Sequence, residues 1–178
     1  MTATIRQTEN NYITVPYTKE IQLEYSKTFD CGNDALTLFL KSREALDVAF
    51  GKTFVMLLNN NTIAGYYNIT SGDIEDDNNI RMGGAVYINY FAMDKEYQRY
   101  KVNDELYASD LLLADCLNRI NSIRENYLGF AFVTLSSTDE GLYLYERNGF
   151  TPIEEDMKIS KNLGEKKCSQ MYLPIDYE

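Results

Sequence analysis

The stretch Leu142-Tyr143-Leu144-Tyr145-Glu146-Arg147-Asn148-Gly149-Phe150 decides how the rest of this 178-residue chain reads. It sets a tyrosine, Tyr145, four residues ahead of glycine in a Gly-Phe pair. The segment reads as a short helix ended by Asn148-Gly149, because both residue types accept the left-handed backbone of a helix C-cap. Ser137 or Thr138 would open it, with Asp139 and Glu140 in the first turn, where carboxylates oppose the helix dipole. Just upstream, 129–135 is an apolar strand. Before that, 109–124 patterns as an amphipathic helix with Leu113, Leu117 and Ile120 on one face and Ser109 as N-cap. A further apolar strand, 85–93, precedes the helix.

Towards the N-terminus, 33–50 reads as one helix, with Asn33 as N-cap, Leu36, Phe39, Leu40 and Leu46 at near-helical spacing, and Gly51 as its stop. Residues 53–58 and 62–69 read as two strands joined by an Asn59-Asn60-Asn61 turn, since asparagine tolerates left-handed angles. The acid-rich stretch 71–84 reads as an exposed loop, 169–173 as a last strand, and 1–20 as an added edge strand. Helix, hairpin, strand, helix, strand, helix, strand is an α+β or mixed α/β order. With no repeat, no low-complexity tract and only three prolines, residues 1–178 are expected to form a single domain.

Composition excludes several chemistries. Apolar residues make up 44% and charged residues 25% of the chain, an ordinary soluble balance. No apolar run reaches the roughly 18 residues of a membrane span, and the first residues lack a signal-peptide core. Three cysteines without CxxC spacing point to neither a disulfide framework nor a zinc site, and to a cytoplasmic protein with reduced thiols. There is no histidine. That removes Ser-His-Asp and Cys-His catalysis, HExxH metalloproteases and His-ligated zinc deaminases. A general base must then be a carboxylate, a tyrosine, a lysine, an amino terminus or a water chain. The formal net charge of −10 opposes a nucleic-acid backbone. Basic residues gather at Lys95, Arg99 and Lys101, and again at Lys158, Lys161, Lys166 and Lys167; a solvated face is the ordinary reading of such runs.

The strand Tyr87-Ile88-Asn89-Tyr90-Phe91-Ala92-Met93, the segment Asp94-Lys95-Glu96-Tyr97-Gln98, the helix that follows and the Tyr-x-x-x-Gly-Phe pattern together resemble the acyl-CoA-binding half of the GNAT N-acetyltransferases. The resemblance implies a mixed, mostly antiparallel central sheet flanked by helices. It also implies direct transfer of an acetyl group from acetyl-CoA to a primary amine. Tyr145 would then be the general acid: a phenol with a pKa of about 10 can protonate a thiolate whose conjugate acid lies near about 8.5. Backbone groups of Phe91, Ala92 and Met93 would meet the pantetheine arm. Gln98, Arg99, Lys101, Ser109 and Asp110 would surround the pyrophosphate, beside a helix N-terminus. The family pattern Gln-x-x-Gly-x-Gly is altered here. Tyr107 and Ser109 stand where glycines are usual, and about six residues are inserted, which puts in question how closely backbone can approach phosphate. Tyr143 is expected only to pack.

A second resemblance covers Phe29-Asp30-Cys31-Gly32-Asn33, with Leu36 and Phe39-Leu40, and then Ile63-Ala64-Gly65-Tyr66-Tyr67. It is similar to a GNAT branch that includes toxins acetylating aminoacyl-tRNA. Cys31 reads as a small buried residue. Neither neighbouring strand carries an acid, so Asp73, Asp139 or a water chain is left as the base. An α-amine, with a pKa of about 8, needs less help than a lysine. The net charge favours a small amine or peptide amine as acceptor, with aminoacyl-tRNA as the alternative and no other nucleic acid or membrane partner. A homodimer is left open. The rivals are a GNAT-fold binding protein that no longer holds CoA, and a pairing subunit that uses the acidic loop 73–79.

Overall fold

The computed structural model describes residues 12–58, 62–159 and 168–175. Its elements run β1 (Tyr12–Pro16), α1 (Lys19–Tyr25), α2 (Asp34–Lys41), β2 (Lys52–Leu58), β3 (Ile63–Asp76), β4 (Arg81–Met93), α3 (Ala108–Asn126), β5 (Phe132–Ser137), α4 (Leu142–Glu146), β6 (Thr151–Pro152), β7 (Met157–Ile159) and β8 (Ser169–Pro174). The strands form one sheet in the order β1-β2-β3-β4-β5-β8-β6, with β7 on the far end of β3. Its pairs are antiparallel except β4 with β5.

Period-two alternation gives the sheet two buried faces. Phe54, Met56, Tyr67 and Ile88 fall on one face and pack beneath Leu112, Leu113, Cys116 and Ile120 of α3 and Tyr145 of α4. Val55, Leu57 and Tyr66 fall on the other, under Phe29, Phe39 and Leu40. The spacing of the α3 residues is that of a single helix face. A polar latch fixes α3 over β2 and β3. The Tyr67 hydroxyl donates to Asp115 Oδ2 at 2.6 Å, Arg119 Nε donates to the Tyr67 oxygen at 2.8 Å, and the guanidinium lies 4.1 Å from the Phe54 ring centroid.

Two irregularities shape the middle of the sheet. Asn68 pairs with Tyr90 but Ile69 pairs with Ile88, so Asn89 is the extra residue of a β-bulge. The parallel ladder between β4 and β5 runs only from Ala85 against Phe132 to Ile88 against Leu135. Beyond it β4 stays with β3 and β5 stays with β8, and the two strands part.

Several expectations are corrected. The helix read over 33–50 ends at Lys41. The Ser42 hydroxyl donates to the Phe39 carbonyl and accepts from the Glu44 amide, and two short 3-10 turns follow. The stretch 71–84 is no loop, because β3 and β4 continue through it as a long hairpin arm whose Ile74 is sealed by Met157 and Ile159 of β7. The N-cap of α3 is Tyr107, whose amide donates to Asp110 Oδ2 at 2.9 Å, and not Ser109. Gly141, not Ser137 or Thr138, opens α4. Helix α1, capped by Thr18, and strands β6 and β7 were not anticipated. The Asn59-Asn60-Asn61 turn and Lys161, Lys166 and Lys167 lie outside the described residues. No helix among the described residues is long and apolar enough to cross a membrane.

Candidate active site

Where β4 and β5 part, the unpaired edge of β4 from Asn89 to Met93 offers backbone groups to a ligand instead of to a strand. Phe91 projects from this edge, and its ring meets Tyr145 edge-on, with centroids 6.1 Å apart and planes at 74°. Phe150 meets the other side of Tyr145 at 5.8 Å and 69°. Gly149, at φ +89°, makes the left-handed turn that brings Phe150 back under α4, as its place after Asn148 implied. Burial, with a smaller effect from Cys116, pushes the Tyr145 phenol well up, so it stays protonated. Its hydroxyl makes no hydrogen bond to a described residue. The geometry holds a protonated phenol where the strands part.

A groove of about 550 Å³ opens between the start of α3 and the end of α4, lined in part by Gln98, Ser109, Asp110, Tyr143, Arg147 and Asn148. Arg147 Nε donates to Asp110 Oδ1 at 2.9 Å across it, and the guanidinium stands 5.4 Å from the Tyr107 ring and 5.0 Å from that of Tyr143. Tyr143 is therefore no packing residue: it is 70% exposed and borders the groove. Arg147 was not anticipated. Nothing local in Glu-Arg-Asn marks it, and its partner Asp110 lies 37 positions away.

The other expected groups are placed unevenly. Ala92 turns its side chain to the α2 face, so only its backbone can serve the groove, whereas Met93 packs towards α3. Gln98 Nε2 donates to the carbonyls of Cys31 (2.7 Å) and Met93 (3.2 Å), tying the Phe29-to-Gly32 segment to the end of β4. Lys95 pairs with Asp30 at 2.7 Å. Arg99 is exposed and makes no bond to a described residue, and Lys101 lies over the Tyr107 ring at 5.6 Å. The inserted residues fold into a small hairpin. Val102 donates to Leu106 at 2.8 Å, Ala108 donates to Tyr100 at 2.9 Å, and Asn103 Oδ1 accepts from Leu106 at 2.8 Å. The amides of Tyr107 and Ala108 are thus used internally, and Arg147 is the cation facing the helix start. Of the two base candidates, Asp73 is held by Arg81 on the hairpin arm and Asp139 is exposed in the turn before α4.

The Asp110–Arg147 pair gives a testable electrostatic expectation. Arg147→Ala should weaken acetyl-CoA binding. Asp110→Asn, which keeps an oxygen for the Tyr107 amide but removes the competing charge, should tighten it about 3–10-fold, measured by titration calorimetry. Equal affinities in both variants would show that phosphate charge is met elsewhere.

No protein-family model and no curated relative matches the chain. Solved structures do. A bacterial toxin superposes with a TM-score of 0.72 at 16% identity, covering 93% of this chain and 91% of its own. A tyrosine-to-phenylalanine mutant of the AtaT toxin, bound to the C-terminus of the antitoxin AtaR and acetyl-CoA, gives 0.69 at 17% identity, covering 92% of each chain. AtaT complexed with acetyl-methionyl-tRNAfMet gives 0.68 at 18% identity, covering 92% of this chain and 95% of its own. The chain carries the GNAT fold, in the form seen in these toxins.

Proposed function

We propose that the chain is an acetyl-CoA-dependent N-acetyltransferase, a single domain over residues 1–178, and that its acceptor is the α-amino group of an aminoacyl-tRNA. The observation that carries the reaction is Tyr145, held between Phe91 and Phe150 at the parting of β4 and β5. Acetyl-CoA supplies an activated acetyl thioester. The open edge of β4 at Phe91, Ala92 and Met93 orients the pantetheine amides, and Arg147, with Ser109 at the helix start, meets the phosphates. The acceptor nitrogen forms the new C–N bond as the C–S bond breaks. Tyr145 gives its hydroxyl proton to the leaving sulfur, and the amine's proton passes to water. An α-amine needs less help from a base than a lysine side chain, because its pKa of about 8 leaves about a tenth of it deprotonated near neutral pH.

The acceptor reading moves away from the small amine that net charge alone favours. AtaT, alike over nearly the whole chain, has been solved with acetyl-methionyl-tRNAfMet. The resemblance of Phe29 to Gly32 and of Gly65-Tyr66-Tyr67 to the tRNA-acetylating toxins points the same way. Net charge is a long-range term, screened within about 8 Å at physiological salt, so a local basic set can outweigh it. Lys41 and Lys95 both act on Asp30, and Arg99 and Lys101 follow in the next loop. An antitoxin-like protein partner, as AtaT has in AtaR, belongs to the same reading. Labelled acetyl-CoA offered with charged tRNA, with peptides and with spermidine tests it. Label is expected in the tRNA fraction. Label confined to spermidine or peptide would return the acceptor to a small amine, and no binding of acetyl-CoA at all would leave a GNAT fold without the enzyme.

A further inference from the structure

Two buried side-chain polar atoms lack a hydrogen-bond partner among the described residues: Asn89 Oδ1 and Thr134 Oγ1. They lie on adjacent strands and on the same face of the sheet. Thr134 pairs with Tyr87, two residues before Asn89, while the intervening Ile88 points to the α3 face. Asn89 is the extra residue of the β4 bulge, at the level where β4 leaves β5. A bulge re-aims the side chain it carries.

The orientation of the Asn89 amide is fixed by its neighbours. Nδ2 donates to Asn68 Oδ1 at 2.7 Å and lies 3.5 Å from the Phe50 carbonyl, which can only accept. Asn68 in turn donates to Thr53 Oγ1 at 3.0 Å and is fully buried. The nitrogen end of Asn89 is therefore committed to the interior, and the carbonyl end is the free one. Tyr145 packs on the α3 face, so Asn89 and Tyr145 flank the parting from opposite sides of the sheet.

We propose that Asn89 Oδ1 receives an N–H of the acceptor's attacking amine, so that the nitrogen approaches the acetyl carbon from the face opposite Tyr145. The assignment rests on the acetyltransferase reading above. An amide oxygen accepts a hydrogen bond from a neutral amine without holding it as an ammonium ion, as a carboxylate would. The nitrogen lone pair stays free to form the C–N bond. Asn89 is not the base, and the proton released goes to water. The bound class is a primary amine.

The test compares wild type with Asn89→Ala and Asn89→Asp, using methionyl-tRNA, or spermidine if wild type labels that instead. Acetyl-CoA affinity is measured on each protein by calorimetry. It should stay within about twofold, since Asn89 faces away from the groove. Asn89→Ala should lower kcat/KM for the acceptor about tenfold, the size of one lost hydrogen bond. Asn89→Asp keeps the shape, and Asn68 can reverse its amide to serve it. Its KM should fall or hold while kcat drops, because the carboxylate retains the amine in its protonated, non-nucleophilic form. A merely structural role would not separate the two constants. Wild-type kcat and KM in both variants, with acetyl-CoA bound normally, would overturn the assignment. Failure of wild type to bind acetyl-CoA would instead overturn the functional reading on which it rests.

Discussion

Tyr145→Phe should lower kcat by roughly 10²–10⁴-fold while leaving acetyl-CoA affinity unchanged. The substitution keeps both edge-on ring contacts, to Phe91 and Phe150, and removes only the oxygen. That hydroxyl bonds to no described residue, so its loss costs the fold little and the effect isolates proton donation. The measurement is single-turnover transfer from acetyl-CoA, where chemistry is observed apart from product release. An unchanged rate constant would mean that water protonates the thiolate. A fall in affinity equal to the fall in rate would mean that the oxygen binds ligand in the ground state and has no special part in the transition state.

Phe150→Ala should destabilise the protein by about 3–5 kcal/mol in a urea titration, the range for removing a buried phenylalanine. Phe150 is 2% exposed and lies in the core shared by α3, α4 and β5. Its amide also donates to the Tyr145 carbonyl at 3.1 Å, closing the turn after α4. The ring is thus both core and clamp, so the folded fraction of the variant should also lose turnover. Loss of stability with full specific activity would show that Phe91 alone orients Tyr145.

Features encoded by neighbours in the chain were readable in the sequence. Tyr145, the left-handed cap at Gly149 and the apolar strand ending at Met93 depend on residues within a few positions of one another, and the structure places all three at the parting of the strands. Features encoded by distant partners were not. Residues 71–84 read as a loop because their acids and glycines lack an apolar run; they are a strand arm because Ile159 lies opposite Ile74. The bulge at Asn89 exists only in the register of β4 against β3. Arg147 gains its place from Asp110 across the groove. Ser42 is a case of local ambiguity: apolar spacing continues past it to Leu46, but its hydroxyl takes the backbone bonds that a continuing helix would have made.

The strand order also bears on the sequence in which the chain is synthesised. The strands that carry the α2-face core, with α1 and α2, are complete by Met93, and each is adjacent to its partner along the chain. Strand β5 is different. One edge meets β4 only across the α3 crossover, and the other has no partner until Ser169–Pro174 has been made. A nascent chain that has just added Phe150 therefore holds Tyr145, Arg147 and the whole of β4, yet presents Val133 and Leu135 on a strand open along one side. Such an edge is a template for pairing with another chain until β8 covers it. A chain stopped at Phe150 therefore carries the side chains of the candidate site without the strand, Ser169–Pro174, that pairs β5 on its other edge.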